Sequence, residues 1–479
     1  MGAQSDGHYK KPMKSWKIKE IEWLVEDEGL IPALKEIIIP EGTRRGYVNA
    51  RYSGGQIFIK SFAEKGLPGF IRNRVASRGK REYTLGNWLL SRSILTPKPL
   101  GYGISRMGSY IIQQRIEGKS LMAAFKESDY RSELMVRLST LLKELKIHHV
   151  RHNDLHIDNI LVSGKQMYLI DLHKMRIKGS FTVLDEVSNL SHVLAAIYEY
   201  LDIDEKETFF ANYGNPGIRE IVERAMDRLA DRWIRKKKER AFQKTSMITP
   251  LGSRLYMVGM ENRATGELQN IIKVDRKVKV ERYSDHIRKI YVSRRRLERA
   301  WRINVVLAYM NLSIVPPAFY VELPGDSPMG SITMEDMHGK GSELDRYLDS
   351  TYDDMDTHGR RLFTGRFIAF LLMITRKKIV HKDMKACNIF ALNDGGFMLL
   401  DVEDIRFRAL DEEALKRMLI QLNTTIPKRI STCDRIRFFL QFISPMKVNK
   451  RAIFKAVVRE SMRREIVYEG VGGLKRETW

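Results

Sequence analysis

The chain carries the same ordered set of polar residues twice, and that repeat limits its fold more than any other feature. HNDLHIDNILV begins at His152 and HKDMKACNIFA at His381. An amphipathic stretch of helical period precedes each, LMVRLSTLLKELKI in one half and RLFTGRFIAFLLMI in the other. After a short polar turn, each is followed by an apolar strand ending in aspartate, MYLID at Asp171 and FMLLD at Asp401. Upstream, IFIKSF places Lys60 on a predicted strand and NIIKVD places Lys273 on another. A helix bearing Glu82 or Glu298 comes next. The strands YIIQQRIEG and SITMEDMHG then align residue for residue to Gly118 and Gly339. The two lysines are 213 residues apart and the two glutamates 216. Asp154 and Asp383, like Asn159 and Asn388, are 229 apart, and Asp171 and Asp401 are 230 apart. One ancestral unit used twice accounts for this order. At 479 residues the chain is too long for one ordinary core and fits two domains, 1–240 and 241–479. The expected junction is the basic stretch IRKKKERAFQKTS, Ile234 to Ser246.

These residue types suit phosphoryl transfer, which needs a γ-phosphate held, its charge neutralised and a hydroxyl set in line. Asp154 and Asp383 are the candidate catalytic bases. Five positions on, Asn159 and Asn388 are placed to turn back onto Mg²⁺, with Asp171 and Asp401 supplying the hard carboxylate oxygen that Mg²⁺ also requires. Lys60 and Lys273 are expected on the α- and β-phosphates of ATP, each steadied by Glu82 or Glu298. At the strand ends, Gln114 and Ile116, and Glu335 and Met337 in the second half, are the remaining candidates for nucleotide binding. Lys385, two residues after Asp383, is a further candidate, for the γ-phosphate. Taken singly these are weak signals: an Asp five residues before an Asn is common, and a glutamate on a charge-rich helix usually pairs with its own neighbours. The ordered set, present twice, is what carries the reading. His152 and His381 are expected to pack the loop rather than to react. EGTRRGYV (Glu41–Val48) and TPLGSRLY (Thr249–Tyr256) stand where a phosphate loop belongs, but neither matches G-x-G-x-x-G. Gly54 and Gly55 read as an ordinary turn.

HNDLHIDNILV, followed by LIDLHKMRIK from Leu169 to Lys178, resembles the bacterial lipopolysaccharide core heptose and Kdo kinases, a distant branch of the protein kinase-like fold. HKDMKACNIF and LLDVEDIRF resemble that family more loosely. The resemblance spans about Lys35–Arg235 and Thr249–Arg464 and implies an α+β chain of two tandem kinase-like domains. Each would have a small antiparallel sheet with one helix as N-lobe (about 35–115 and 247–336) and a mainly helical C-lobe (about 116–240 and 337–479). It assigns the base and metal roles to Asp154, Asn159 and Asp171, and to Asp383, Asn388 and Asp401. A tandem arrangement departs from the single domain usual in that family, and Lys385 is a feature of Ser/Thr protein kinases. Only 14 residues separate Asp171 from the helix expected near Asp185, and 10 separate Asp401 from that near Asp411, with no Ala-Pro-Glu between. No room remains for a peptide shelf, which favours a compact sugar acceptor. Alternatives are a protein kinase, an aminoglycoside- or choline-type kinase, and a non-catalytic half that binds lipid or a partner.

Charge bears on the partner. The 83 Lys and Arg against 59 Asp and Glu leave a net charge of +24, which favours a polyanion. Runs such as RKIYVSRRRLERAWR (Arg288–Arg302) are expected to present a cationic helical face to an anionic leaflet or a phosphorylated glycolipid. Nucleic acid is disfavoured, because no aromatic–basic interleaving appears. Two cysteines, Cys387 and Cys433, make no disulfide framework and fit a reducing cytoplasm. The start MGAQSDGHYKKPMKSWK has no apolar core and does not read as a secretory signal. FIAFLLMI (Phe367–Ile374) is far short of a membrane span and reads as a buried helix. The expected location is cytoplasmic, peripheral at the inner face of the membrane.

Overall fold

The computed structural model describes residues 13–37, 45–63, 71, 76–106, 108–127, 130–324 and 329–479. It divides into two compact units, Met1–Ala230 and Asp231–Trp479, and the helix Arg219–Glu239 runs through the division. The chain start and residues 41–44 of the first expected phosphate loop lie outside the described residues.

The first unit opens with a six-stranded antiparallel sheet in the order Lys14–Ile18, Ile21–Val25, Pro99–Ile104, Gly108–Gln114, Gly55–Ala63, Arg45–Tyr52. Its first two strands precede residue 35, so the lobe starts earlier than expected. Trp23, Leu30, Ile57, Ile59 and Ile112 fill one face of this sheet. Against the other packs the helix Arg78–Leu90, whose N-terminus is capped by the Ser77 hydroxyl accepting from the Lys80 N–H. Gly54 and Gly55 make the turn into the lysine strand, Gly55 at φ +124°. The C-lobe is built on the helix Arg131–Ile147, where Leu134, Leu138, Leu142 and Leu145 form a buried stripe at helical spacing. Two short strand pairs then hold the loop that starts at His152: Val150–His152 with Met175–Ile177, and Ile160–Ser163 with Gln166–Leu169.

The second unit repeats this plan with seven strands, ordered Ile248–Leu251, Arg254–Met257, Ala318–Glu322, Gly330–Glu335, His286–Tyr291, Val278–Tyr283, Leu268–Val274. Its helix is Arg294–Tyr309, and its C-lobe core is organised by Thr357–Arg376. Phe367, Ile368, Phe370, Leu371 and Ile374 of that helix are buried, which explains the apolar run. No helix among the described residues is long and apolar enough to cross a membrane. Both units are α+β with a kinase-like two-lobe plan, as the repeat implied. The basic run Arg288–Arg302 is not one helical face: its start is strand and only Arg294 onward is helix.

In both units the strand-end aspartate leads directly into a short strand and a capped helix. Thr182 and Asp185 form a capping box for Val183–Leu194, and the Asp411 carboxylate caps Glu412–Asn423. The peptide shelf of a protein kinase is absent from this stretch.

Candidate active sites

In the first unit, the strand Gly55–Ala63 aims Lys60 into the protein, where it is 5% exposed. Its Nζ lies 2.5 Å from Asp171 Oδ1 and 3.2 Å from Glu82 Oε1. An ammonium between two buried carboxylates satisfies all three charges, whereas any one of them alone would be costly there. Burial pushes the Glu82 carboxyl up despite Lys60. Burial acts the same way on Asp171, but His173, whose Nδ1 is 2.8 Å from Oδ1, and Lys60 outweigh it and hold that carboxyl well below the usual range. Asp171 has φ +63° and its counterpart Asp401 φ +49°. Non-glycine residues seldom adopt this left-handed conformation, and it turns each carboxylate out of its strand toward the loop.

The loop beneath is bound to itself. Asn159 Nδ2 donates to the Asp154 carbonyl (2.7 Å), and the Ile170 N–H donates to the Asn159 carbonyl (2.9 Å), which draws the loop against the strand end beside Asp171. The Asp154 carboxylate pairs with Lys174 and lies 2.8 Å from His156 Nε2. Burial raises the Asp154 carboxyl, Lys174 and His156 more than reverse it, and Asp171 adds a smaller upward push. His152 is fully buried and its Nδ1 accepts the Asp154 N–H at 3.2 Å. Burial lowers its imidazole to about 4, so it packs the loop as a neutral ring, in keeping with the structural role expected.

The second unit brings Asp383, Asn388 and Asp401 together in the same way, but with another lysine. Lys273 is on the outermost strand, 55% exposed at its side chain, with Nζ 3.3 Å from Asp275. It reaches Asp401 only as a lesser charge. The ammonium that meets Asp401 is Lys289, at 2.6 Å. Strand register makes the equivalence plain. Lys60 sits opposite Ile111 and Lys289 opposite Ile332, on strands whose last residues are Gln114 and Glu335. The expected partner, Glu298, is also displaced: it makes surface pairs with Arg294 and Arg302 one turn away on its own helix. Buried positions 79, 82, 83 and 86 of the first helix match 297, 300, 301 and 304 of the second, so Ala300 stands where Glu82 does. The missing carboxylate is supplied by Glu403, two residues after Asp401 and 1% exposed. Its Oε1 is 3.1 Å from Lys289 Nζ and 3.0 Å from Arg296 Nε, and Tyr291 donates its hydroxyl to Oε2 at 3.2 Å. Burial alone would depress the Lys289 ammonium; Tyr291, Glu403 and Asp401 more than reverse that and hold it protonated.

Around the second loop, Asn388 Nδ2 donates to the Asp383 carbonyl at 2.8 Å, and Gln421 Nε2 donates to Asp383 Oδ1 at 2.8 Å. Lys385 Nζ is 3.2 Å from Asp383 Oδ2. His381 is buried, with Nε2 2.9 Å from the Leu400 carbonyl. Gln114 and Glu335 end matching strands, their N–H groups donating to Lys98 and Pro317 carbonyls, and the Glu335 side chain is tied to Lys340. Ile116 is half-buried and Met337 buried. Thr249–Tyr256 forms a hairpin at the edge of the sheet far from Lys289. The turn nearer the lysine strand is Asp275–Lys277, closed by the Asp275 carboxylate accepting from two backbone N–H groups rather than by glycine.

Hard oxygen donors at Asp171 with Asn159, and at Asp401 with Asn388, are the set Mg²⁺ takes beside phosphate oxygens, so the residues fit a magnesium–nucleotide complex. Glu82, Asp171 and His173 also lie within 4.8 Å of one another, but the Lys60 ammonium already bridges the two carboxylates.

Residues 72–207 match the model of the lipopolysaccharide kinase (Kdo/WaaP) family. The match lies within the first unit and is a similarity over 136 of the 479 residues. The matched segment contains Glu82, Asp154, Asn159 and Asp171 and ends before the second unit, whose kinship rests on the internal repeat. Nothing among the curated proteins matches. Among solved structures, WaaP in complex with acyl carrier protein is 16% identical with a TM-score of 0.32, over 42% of this chain and 91% of that one. The bifunctional kinase-methyltransferase WbdD is 17% identical with a TM-score of 0.28, over 44% of this chain and 53% of that one. Likeness at this level carries no weight, and the fold stands on the sheets and helices described above.

Sequence reasoning missed Lys289, Glu403, Lys174 and Gln421. One signal was present for the lysine: Lys289 follows Lys60 by 229 residues, the displacement of both loop residues.

Proposed function

We propose that this chain is an ATP-dependent kinase that phosphorylates a sugar hydroxyl of the lipopolysaccharide inner core, on a heptose or Kdo residue, at the cytoplasmic membrane face. The observation that carries the reading is the buried lysine–carboxylate cluster beside an Asp/Asn loop, built in each half. Asp154 or Asp383 orients the acceptor hydroxyl and takes its proton as the oxygen bonds to the γ-phosphorus and ADP leaves. Asn159 with Asp171, and Asn388 with Asp401, would hold Mg²⁺, which would supply positive charge against the phosphates. Lys60 and Lys289 would meet the α- and β-phosphates. Lys174 and Lys385, each beside its aspartate, are placed for the γ-phosphate. The direct passage from strand-end aspartate to capped helix supports a compact acceptor over a peptide, and the net charge of +24 supports an anionic leaflet as the working surface. Purified protein incubated with ATP–Mg²⁺ and delipidated core oligosaccharide should yield a phosphorylated sugar by mass spectrometry. Absence of product with every core acceptor removes the reading.

A further inference from the structure

The second unit has a cavity of about 770 Å³ beside Asp383, and its walls are cationic. Arg295 and Arg299 reach it from one helix, Arg417 from another, Arg406 from a strand, and Lys277 and Lys382 from two loops. None of these six makes an ion pair within 4.0 Å among the described residues. The acids on the walls face other partners: Glu403 pairs with Lys289 and Arg296, Asp383 with Gln421 and Lys385, and Asp404 Oδ2 lies 4.0 Å from Arg296 Nη2. Arg406 gives Nη1 to the Glu403 and Ile405 carbonyls; burial depresses its guanidinium, Arg299 and Arg408 add to that with like charge, and Asp404 opposes them only in part. Unpaired cations crowded around one void repel each other, and a protein keeps such an arrangement where an anion completes it.

The location says which anion. The cavity touches Asp383, the base, but not Lys289, Asn388 or Asp401, which would hold the nucleotide's phosphates and metal. It therefore opens on the acceptor side. A phosphate monoester carries close to two negative charges and three acceptor oxygens, against one charge for a carboxylate. Arginine's planar fork matches it with paired hydrogen bonds. We infer that the second unit recognises an acceptor that already bears phosphate, using Arg299, Lys382, Arg406 and Arg417 to hold that group while Asp383 faces a free hydroxyl. This rests on the kinase reading and narrows its substrate class for one half. In the first unit the residue matching Lys382 is the uncharged Asn153.

Binding is measured separately from turnover, so that the two readings can fail separately. The full chain is titrated calorimetrically with core oligosaccharide, either intact or stripped of phosphate by alkaline phosphatase, which leaves carboxylates in place. Intact oligosaccharide should bind about tenfold or more tightly than the stripped form, as expected for losing charge-assisted contacts. The Arg299→Ala/Arg417→Ala variant should erase that difference while leaving the KM for ATP unchanged. Arg417 is exposed and Arg299 half-buried, and an unchanged thermal midpoint checks that the variant folds. Inorganic phosphate should compete for the wild type and not for the variant. Equal affinity for intact and stripped oligosaccharide, or a variant that keeps the difference, overturns the inference whether or not phosphate is transferred. Tight, phosphate-dependent binding with no transfer would instead sink the kinase reading and leave the pocket standing.

Discussion

The two halves reach one electrostatic arrangement by different residues. In the first, the buried lysine is held by a helix carboxylate, Glu82, and the strand-end Asp171. In the second, the helix position is Ala300, and the acid comes from Glu403 in the turn just after Asp401. The cation beside the loop aspartate is exchanged as well. Lys174, in the turn after Asp171, serves Asp154; Lys385, two residues along the loop, serves Asp383, and Asp404 occupies the place of Lys174. What persists is a charge at a point in space, since a buried ammonium needs carboxylates within about 3 Å whichever element delivers them.

The largest effect should come from the bases. Asp154→Ala and Asp383→Ala should each remove the activity of their own half by about 10²–10⁴-fold and spare the other. Measuring transfer to separate acceptors tests this, and one substitution silencing both halves would break the comparison. Next are the lysines. Lys60→Met leaves Glu82 and Asp171 facing each other with only the His173 ring beside them and should cost about 3–5 kcal/mol in the first half. Lys289→Met should cost less, about 1–3 kcal/mol, because Glu403 keeps Arg296 and Tyr291. Both should stop transfer in their half, while Lys273→Met should leave it running; hydrogen exchange on peptides of each half reads the stabilities. A silent Lys289→Met with an inactive Lys273→Met would restore the equivalence drawn from the sequence.

A pH effect sharpens the contrast further. His152 has its imidazole lowered to about 4 from an ordinary value near 6.5. The unfolded chain therefore takes up this proton first as pH falls. The contribution is complete above about pH 6.5 and is lost on the way down to about pH 4, worth up to about 3 kcal/mol. Hydrogen exchange across residues 150–175 should speed up over that window in the wild type and stay flatter in His152→Asn. The smallest effect is expected at Glu298, whose partially exposed i,i+4 pairs are worth under about 1 kcal/mol. Glu298→Ala should leave stability and transfer nearly unchanged, whereas Glu403→Ala should not.

The loops were legible because their chemistry is local. Asp154 to Asn159 and Asp383 to Asn388 span five residues, and each following strand must end in a carboxylate, so spacing alone predicts that they meet. The lysine of the first half was legible for a related reason, since IFIKSF is a mainly apolar strand with one charged residue. In the second half two basic segments form strands, NIIKVD and HIRKIY, and Lys273 lies on the outer one. The insertion that shifts the spacing lies between strand and helix: 14 residues separate Ala63 from Arg78, but only two separate Tyr291 from Arg294. Glu298 then fell in line by coincidence of count.

The sequence by itself determined that one ordered set of polar residues occurs twice, which aspartates and asparagines share each loop, and that the stretch from strand-end aspartate to the next helix is short. These depend on neighbours a few residues apart, which covalent geometry keeps together. Only the tertiary structure decided which lysine answers each aspartate, that Glu403 replaces a helix glutamate, and that basic side chains line a cavity beside Asp383. Those groups lie over a hundred residues apart or on separate elements, and only the register of the strands and the packing of the helix bring their charges together.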